Sequence, residues 1–180
     1  MANEKEILND FEISGIITRI VFQILESVGG SEKFGIVGIK HGGSVLASRL
    51  ASEIEMYGKK KPNLGSLDIT LYRDDLAQTP IADLPLVKGT EISFDISGMH
   101  IILVDDVIFT GRTVRAALDA LTDLGRPSKI SLAALIDRGH RELPIQPDFT
   151  GKLVPTALNE NIRVDFKESA GSDSVKIIRK

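Results

Sequence analysis

The sequence predicts an α/β fold built on a mostly parallel central sheet with helices on both faces. Three observations predict it. Short apolar runs alternate with longer segments whose apolar residues recur at helical spacing. The strand candidates Phe34–Ile39 (FGIVGI) and Met99–Val104 are apolar throughout, as strands covered on both sides must be. Glycines mark the changeovers at Gly29-Gly30, Gly42-Gly43 and Gly125.

In chain order, residues 4–28 carry Ile7, Leu8, Phe11, Ile16, Ile17, Ile20, Val21, Ile24, Leu25 and Val28, which predicts one long first helix. The strand at 34–39 follows, then an amphipathic helix over 44–57 with Val45, Leu46, Leu50, Ile54 and Tyr57 on one face. Residues 64–71 alternate imperfectly and read as a strand. Residues 73–98 lose periodicity and gather Asp, Pro, Gly and Thr, a loop with room for a hairpin. Loops of that length inside a compact domain are more often functional than idle. A strand at 99–104, a helix at 113–124 and a buried strand at 129–136 complete the core. The tail offers shorter strands at 152–155, 162–166 and 174–178.

The chain has 180 residues, 42% of them hydrophobic and 26% charged, and no internal repeat or linker divides it. One domain spanning 1–180 is expected. A formal charge of −3 gives no overall basic field, so any RNA contact needs a local patch. The absence of cysteine excludes disulfides, thiolate zinc sites and a cysteine nucleophile. The acidic start, MANEKEILNDFEI, is unlike a signal peptide, and no run approaches the ~20 apolar residues of a membrane span. A cytoplasmic protein without membrane contact is expected.

The most informative stretch is Ile102–Val114, ILVDDVIFTGRTV. A buried strand brings Asp105 and Asp106 to the carboxyl end of the sheet, where open α/β proteins bind ligands. Paired acids accept hydrogen bonds from a vicinal diol and orient the hydration shell of Mg²⁺. Apolar-Asp-Asp alone also occurs as a capping pair, and in phosphoacceptor domains. The next residues weigh toward a ligand. Thr110 and Thr113 offer hydroxyls, Gly111 permits close backbone approach, and a helix N-terminus follows, which together make a phosphate cradle. Walker-type and dinucleotide glycine motifs are absent.

On these residues the sequence resembles the type I phosphoribosyltransferases. The resemblance implies a type I phosphoribosyltransferase fold, with a small hood and a flexible lid beside the central sheet. It also implies binding of 5-phosphoribosyl-1-pyrophosphate (PRPP), with Asp105 and Asp106 as catalytic residues on the ribose hydroxyls. Thr110, Gly111, Arg112 and Thr113 would surround the 5′-phosphate. Lys40, His41, Gly42 and Gly43, directly after the first core strand, would form the pyrophosphate loop. Mg²⁺ would enter through PRPP near Asp105 and Asp106 rather than on firm protein ligands. Arg73 lies at the near hinge of the 73–98 lid.

Purine-specific relatives commonly carry an acid where this chain has Phe109. The segments LDITLYRDDL (67–76) and ALIDRGHRELP (134–144) closely resemble the PyrR family, as do Ala157–Glu160 and Val164–Glu168. That resemblance implies uracil phosphoribosyltransferase activity, with Ile136, Asp137 and Arg138 at the pyrimidine and Arg138 within reach of pyrophosphate. It implies UMP and UTP as further ligands and a role in pyrimidine salvage. It also implies attenuation of pyrimidine genes by binding leader RNA, through Thr18, Arg19, His140, Arg141 and Lys152. A homodimer or higher homo-oligomer is expected, consistent with the extensive apolar surface of the first helix.

Three departures stand out. Phe22 and Gln146 occupy positions where relatives carry polar or basic residues, and His41-Gly42-Gly43 replaces a loop that usually contains arginine. No residue is an obvious general base. Two alternatives therefore remain: an RNA-binding attenuator with weak or no catalysis, and a phosphoribosyltransferase for another base.

Overall fold

In the computed structural model, which describes residues 4–29, 33–72 and 89–179, the chain folds around a five-stranded, all-parallel sheet. Its elements are β2 (Phe34–Ile39), α2 (Gly42–Gly58), β3 (Asn63–Leu67), β4 (His100–Ile108), α3 (Arg112–Leu124), β5 (Lys129–Asp137) and β6 (Phe149–Leu153). The sheet order is β3-β2-β4-β5-β6. A separate antiparallel sheet, β1-β8-β7, joins the chain ends: β1 (Glu4–Leu8), β7 (Glu160–Asp165) and β8 (Ser174–Arg179). It is the hood that the family resemblance implied. The lid position Arg73 and residues 74–88 fall outside the described residues.

The predicted first helix is two elements. Residues 4–8 form β1, paired antiparallel with β8, and α1 spans Asp10–Val28. Asn9 separates them: its side chain accepts from the Glu12 N–H at 2.9 Å, and the Glu12 carboxylate accepts from the Asn9 N–H at 3.0 Å. This reciprocal cap satisfies two otherwise unpaired donors and fixes where the helix begins. Ile7 and Leu8 happened to fall on helical spacing and hid the break.

Apolar side chains cover both faces of the parallel sheet. On one, Ile13, Ile17, Ile20 and Ile24 of α1 and Leu46, Leu50 and Ile54 of α2 pack with Ile36, Ile102 and Val104. On the other, Val114, Ala117 and Leu121 of α3 meet Val37, Leu103 and Leu132. Small alanines on α3 bring that helix close to the sheet.

Several boundaries differ from expectation. β3 is Asn63–Leu67 rather than 64–71, because a 3₁₀ turn at Thr70–Tyr72 follows it, with Asp68 Oδ1 accepting from the Thr70 N–H at 2.9 Å. β6 is Phe149–Leu153 rather than 152–155, and its Phe149 side chain is buried in the core. β4 continues past Val104 to Ile108 because β5 keeps pairing with it: Asp105 lies opposite Ala134, and Ile108 opposite Asp137. On its other edge the last β2 partner is Gly38, opposite Val104. The two acids therefore sit where β2 has already turned away, and β2 and β4 lead to helices on opposite faces. That is the topological switch point at which such sheets bind ligands.

Candidate active site

Asp105 is 6% exposed, with Asp106 beside it. Its carboxylate accepts from the Asp106 N–H at 3.0 Å, and Asp106 accepts from the Val107 N–H at 2.9 Å. Burial pushes the Asp105 carboxyl well above the usual carboxylate range, and the neighbouring Asp106 charge adds to the shift. A buried acid held this way is a strong hydrogen-bond partner for a hydroxyl that displaces water.

Across the switch point, the 40–43 loop lies hard against these acids. A Cβ at Gly42 would collide with the Asp106 carboxylate, and one at Gly43 with the Val104 carbonyl and the Asp105 Cα. The Lys40–His41 peptide is cis. Lys40 pairs with Glu91 at 3.2 Å, and His41 is exposed at the N-terminus of α2. Asp68 faces the same loop. The Thr70 hydroxyl and N–H hold its carboxyl below the usual range, and the Lys40 and His41 charges add to this. The Ser44 hydroxyl, in the first turn of α2, is buried without a hydrogen-bond partner among the described residues.

On the other side, residues 110–113 turn into α3. Gly111 has φ +93°, a left-handed conformation that disfavours side chains, and the Thr110 hydroxyl accepts from the Arg112 N–H at 3.3 Å. Asp105, Phe109, Thr110, Gly111 and Thr113 line a small cavity of about 80 Å³. The Thr110 carbonyl accepts N–H groups from Glu142 and Leu143, at 3.0 and 3.1 Å, so this cradle is tied to the loop after β5.

That loop is held by side chains whose roles the sequence did not disclose. Arg141 pairs with Asp137 at 2.6 Å and donates to the carbonyls of Phe109 and Ile145 at 2.7 and 2.8 Å. Arg138 is 5% exposed; it donates to the Thr156 hydroxyl at 3.1 Å and the Glu160 carbonyl at 2.6 Å. Its guanidinium lies 4.0 Å from the centre of the Phe109 ring, and burial lowers its proton affinity. It thus ties the loop after β5 to Thr156 and to the start of β7 in the hood. Ile136 is fully buried within β5. His140, at φ +58°, makes a 2.5 Å contact with the Thr156 carbonyl.

The remaining residues implicated in RNA binding lie on α1 and β6. The Thr18 hydroxyl donates to Glu53 at 2.9 Å, and Arg19 donates to the carbonyls of Thr150 and Gly151. Lys152 reaches the Ile7 carbonyl at 3.4 Å. Sequence reasoning missed Glu91, Glu142 and Thr156, which anchor Lys40, Arg112 and Arg138 from segments 51, 30 and 18 residues away. No local pattern announces such partners.

The Asp105–Asp106 pair thus sits between the 40–43 loop and the 110–113 turn. The family described as Phosphoribosyl transferase domain matches residues 3–168. The chain belongs to that family, within its PyrR branch. The Bifunctional protein PyrR of Chloroflexus aurantiacus is 52% identical over 179 residues, 99% of this chain and 97% of that one. Bifunctional protein PyrR 1 of Lactiplantibacillus plantarum is 50% identical over 173 residues, 96% of each chain. The solved hypoxanthine phosphoribosyltransferase of Trypanosoma cruzi shares the fold, with a TM-score of 0.73 over 97% of this chain and 96% of that one. At 14% identity it carries no further argument. No helix among the described residues of this PyrR-family chain is long and apolar enough to cross a membrane.

Proposed function

We propose that this PyrR-family protein transfers the phosphoribosyl group of PRPP to uracil in the cytoplasm, forming UMP and diphosphate. The observation that carries the reading is the Asp105–Asp106 pair, with Asp105 buried and Asp106 partly exposed, at the switch point between the 40–43 loop and the 110–113 cradle. The N–H groups of 110–113 at the start of α3 hold the 5′-phosphate, Asp105 and Asp106 accept from the ribose hydroxyls, and the 40–43 loop at the start of α2 receives the diphosphate. The segment from the end of β5, 137–144, approaches uracil. The Arg138 and Gly139 N–H groups and the Asp137 carbonyl are already bonded to the Ile108 carbonyl, the Asp137 carboxylate and the Val154 N–H. Reading of the base's polar edge falls to the other groups of that segment, and a site built for such hydrogen bonds rejects bases that leave them unpaired. The C1–O bond to diphosphate breaks, its electron pair leaves with diphosphate, and uracil N1 bonds to C1 and gives up its proton. Fixed geometry supplies much of the acceleration.

Among the described residues no cluster of three His, Cys, Asp or Glu side chains could hold a metal alone. The fit is instead to Mg²⁺ carried on PRPP, with Asp105 and Asp106 as the nearest carboxylates. When bound, the ion neutralises the leaving diphosphate. Labelled uracil with PRPP and Mg²⁺ is expected to give UMP, and EDTA to stop it. UMP formation equal to that of a D105N/D106N double variant would overturn the proposal, and a panel of other bases tests the base assigned.

A second activity, binding of pyrimidine leader RNA enhanced by UMP or UTP, belongs to the same reading. Thr18, Arg19, His140 and Lys152 are its contact residues; Arg141, with its fork occupied by Asp137 and two carbonyls, shapes that surface from behind. A homodimer or higher oligomer completes the reading, with Phe11, Leu153 and Leu158 as exposed apolar side chains for such contact. A gel shift of leader RNA, with and without UMP, tests the RNA role.

A further inference from the structure

Three consecutive carbonyls at the end of β4 are all held by the loop that follows β5. Ile108 accepts from the Arg138 N–H at 3.1 Å and Phe109 from the Arg141 guanidinium at 2.7 Å. Thr110 accepts from the Glu142 and Leu143 N–H groups at 3.0 and 3.1 Å. A trans peptide unit directs its N–H opposite to its carbonyl. The trans units Phe109–Thr110 and Thr110–Gly111 therefore turn their N–H groups away from that loop. Neither N–H has an acceptor among the described residues, and both residues line the small cavity that Asp105 shares. Side chains tie the same two segments together. Arg112 reaches Glu142 with Nε and Nη2, both 2.7 Å from one carboxylate oxygen. A Cβ at Gly111 would lie 3.4 and 3.5 Å from the Leu143 and Ile145 Cβ atoms, so the cradle also packs on the loop.

An amide whose N–H donates to an anion becomes a better acceptor at its own oxygen, because hydrogen bonds in a chain polarise one another. A phosphate on the Thr110 and Gly111 N–H groups thus tightens the bonds that the Phe109 and Thr110 carbonyls receive from Arg141, Glu142 and Leu143. The loop gripped in this way includes the residues placed at uracil. We propose that Glu142 is a positioning residue that couples the phosphate cradle to the base-binding loop, so that 5′-phosphate and uracil strengthen each other's binding. The proposal rests on the phosphoribosyl-transfer reading given above. Glu142 acts through others: its N–H is committed to Thr110 and its carboxylate to Arg112. Both side chains of the Arg112–Glu142 pair are about half exposed, so the pair contributes little to stability and its loss reads out as lost coupling.

Ribose 5-phosphate carries no leaving diphosphate, so it and uracil can occupy the two sites together without reacting. Titration calorimetry on the unsubstituted protein is expected to show ribose 5-phosphate binding about fivefold or more tighter in saturating uracil, and uracil gaining the same factor from saturating ribose 5-phosphate. In E142A that factor is expected to fall below about twofold, while affinity for ribose 5-phosphate alone stays within about threefold of the parent. E142D keeps a carboxylate for Arg112 and is expected to recover part of the factor. The melting midpoint of E142A is expected within about 2 °C of the parent, which separates lost coupling from a folding defect. Ribose 5-phosphate affinity that ignores uracil in the parent, or an undiminished factor in E142A, would overturn the coupling and leave the UMP-forming reading standing. Absence of ribose 5-phosphate binding, together with no UMP from uracil and PRPP, would overturn both. If E142A instead melts well below the parent and loses ribose 5-phosphate binding outright, Glu142 is a brace of the fold and the coupling role is likewise refuted.

Discussion

Gly42 and Gly43 are adjacent, both press on the acid-bearing strand, and alanine at each should have opposite consequences. At Gly43 the added Cβ meets backbone, the Val104 carbonyl and, at 3.0 Å, the Asp105 Cα. Neither can move without shifting the β2–β4 contact, where Gly38 lies opposite Val104 at the centre of the parallel sheet. Overpacking of this kind costs about 1–3 kcal/mol, which for a chain of this length lowers the melting midpoint by about 2–12 °C. At Gly42 the three nearest atoms the Cβ would meet all belong to the Asp106 side chain, a partly exposed group whose carboxylate, the closest part, can rotate away. G42A should therefore leave the midpoint within about 2 °C of the parent, since surface-type changes stay within about 0.5 kcal/mol. Its damage should be to function: displacing Asp106 from the ribose position should lower kcat/KM for PRPP by about tenfold or more, a 1 Å misplacement being enough. Scanning calorimetry and initial rates of UMP formation on the two variants test the contrast. A G43A protein as stable as the parent, or a G42A protein with unaltered kcat/KM, would refute the packing argument.

D105N should melt higher than the parent at neutral pH while losing UMP formation. The folded-state pKa of Asp105 is raised, so its favourable contribution is complete below the ordinary carboxylate value and is lost as pH rises through the raised value; asparagine removes that loss, and melting curves from acid to neutral pH should show a flatter profile. R141A strands the buried Asp137 carboxylate and should cost about 3–5 kcal/mol, or about 6–20 °C in midpoint, with R141K giving incomplete rescue because one ammonium cannot span the carboxylate and two carbonyls. Arg49 holds Asp173 at 2.5 Å and Glu168 at 2.9 Å while lying over the Phe166 ring, so R49A should speed amide exchange in 167–173 without moving KM for PRPP.

What the sequence made legible follows from the range of the forces involved. Strand and helix identity rest on local periodicity, and the buried runs FGIVGI and IILV left little freedom, so the parallel core could be read directly. The acids and the Thr-Gly-Arg-Thr turn are contiguous, and their place at the sheet's carboxyl end follows from strand polarity alone. The hood was implied by family likeness, but β1 was not separable by period: it is five residues long and its partner, β8, lies some 170 positions away. The Asn9–Glu12 capping pair was the available local signal. Boundaries failed where a neighbour decides them, as when β5 extends β4 to Ile108. The cations were recognisable as cations, but which of them already had partners was not, because Glu91, Glu142 and Thr156 approach from remote segments.

That last point shapes how the site must handle charge. In the reading proposed above, PRPP brings a phosphate and a diphosphate to a place already holding Asp105 and Asp106, yet the neighbouring cations among the described residues are engaged. Lys40 is paired with Glu91, Arg112 with Glu142 and Arg141 with Asp137, while Arg138 is turned to Thr156 and Glu160. Glycine at position 42 adds no charge, and its contact with Asp106 leaves an arginine no place to begin without displacing that acid. Among the described residues, that reading leaves neutralisation to groups that carry no formal charge, the N–H groups at the starts of α2 and α3, and to the divalent ion proposed to travel with the diphosphate. Backbone donors cannot relocate, so they favour a ligand whose two anionic ends are spaced to reach both helices at once. The parallel sheet sets that spacing through the β2–β4 register. In that reading fold and ligand preference are one geometric fact: the strand order that opens the switch point also sets the distance between the starts of α2 and α3.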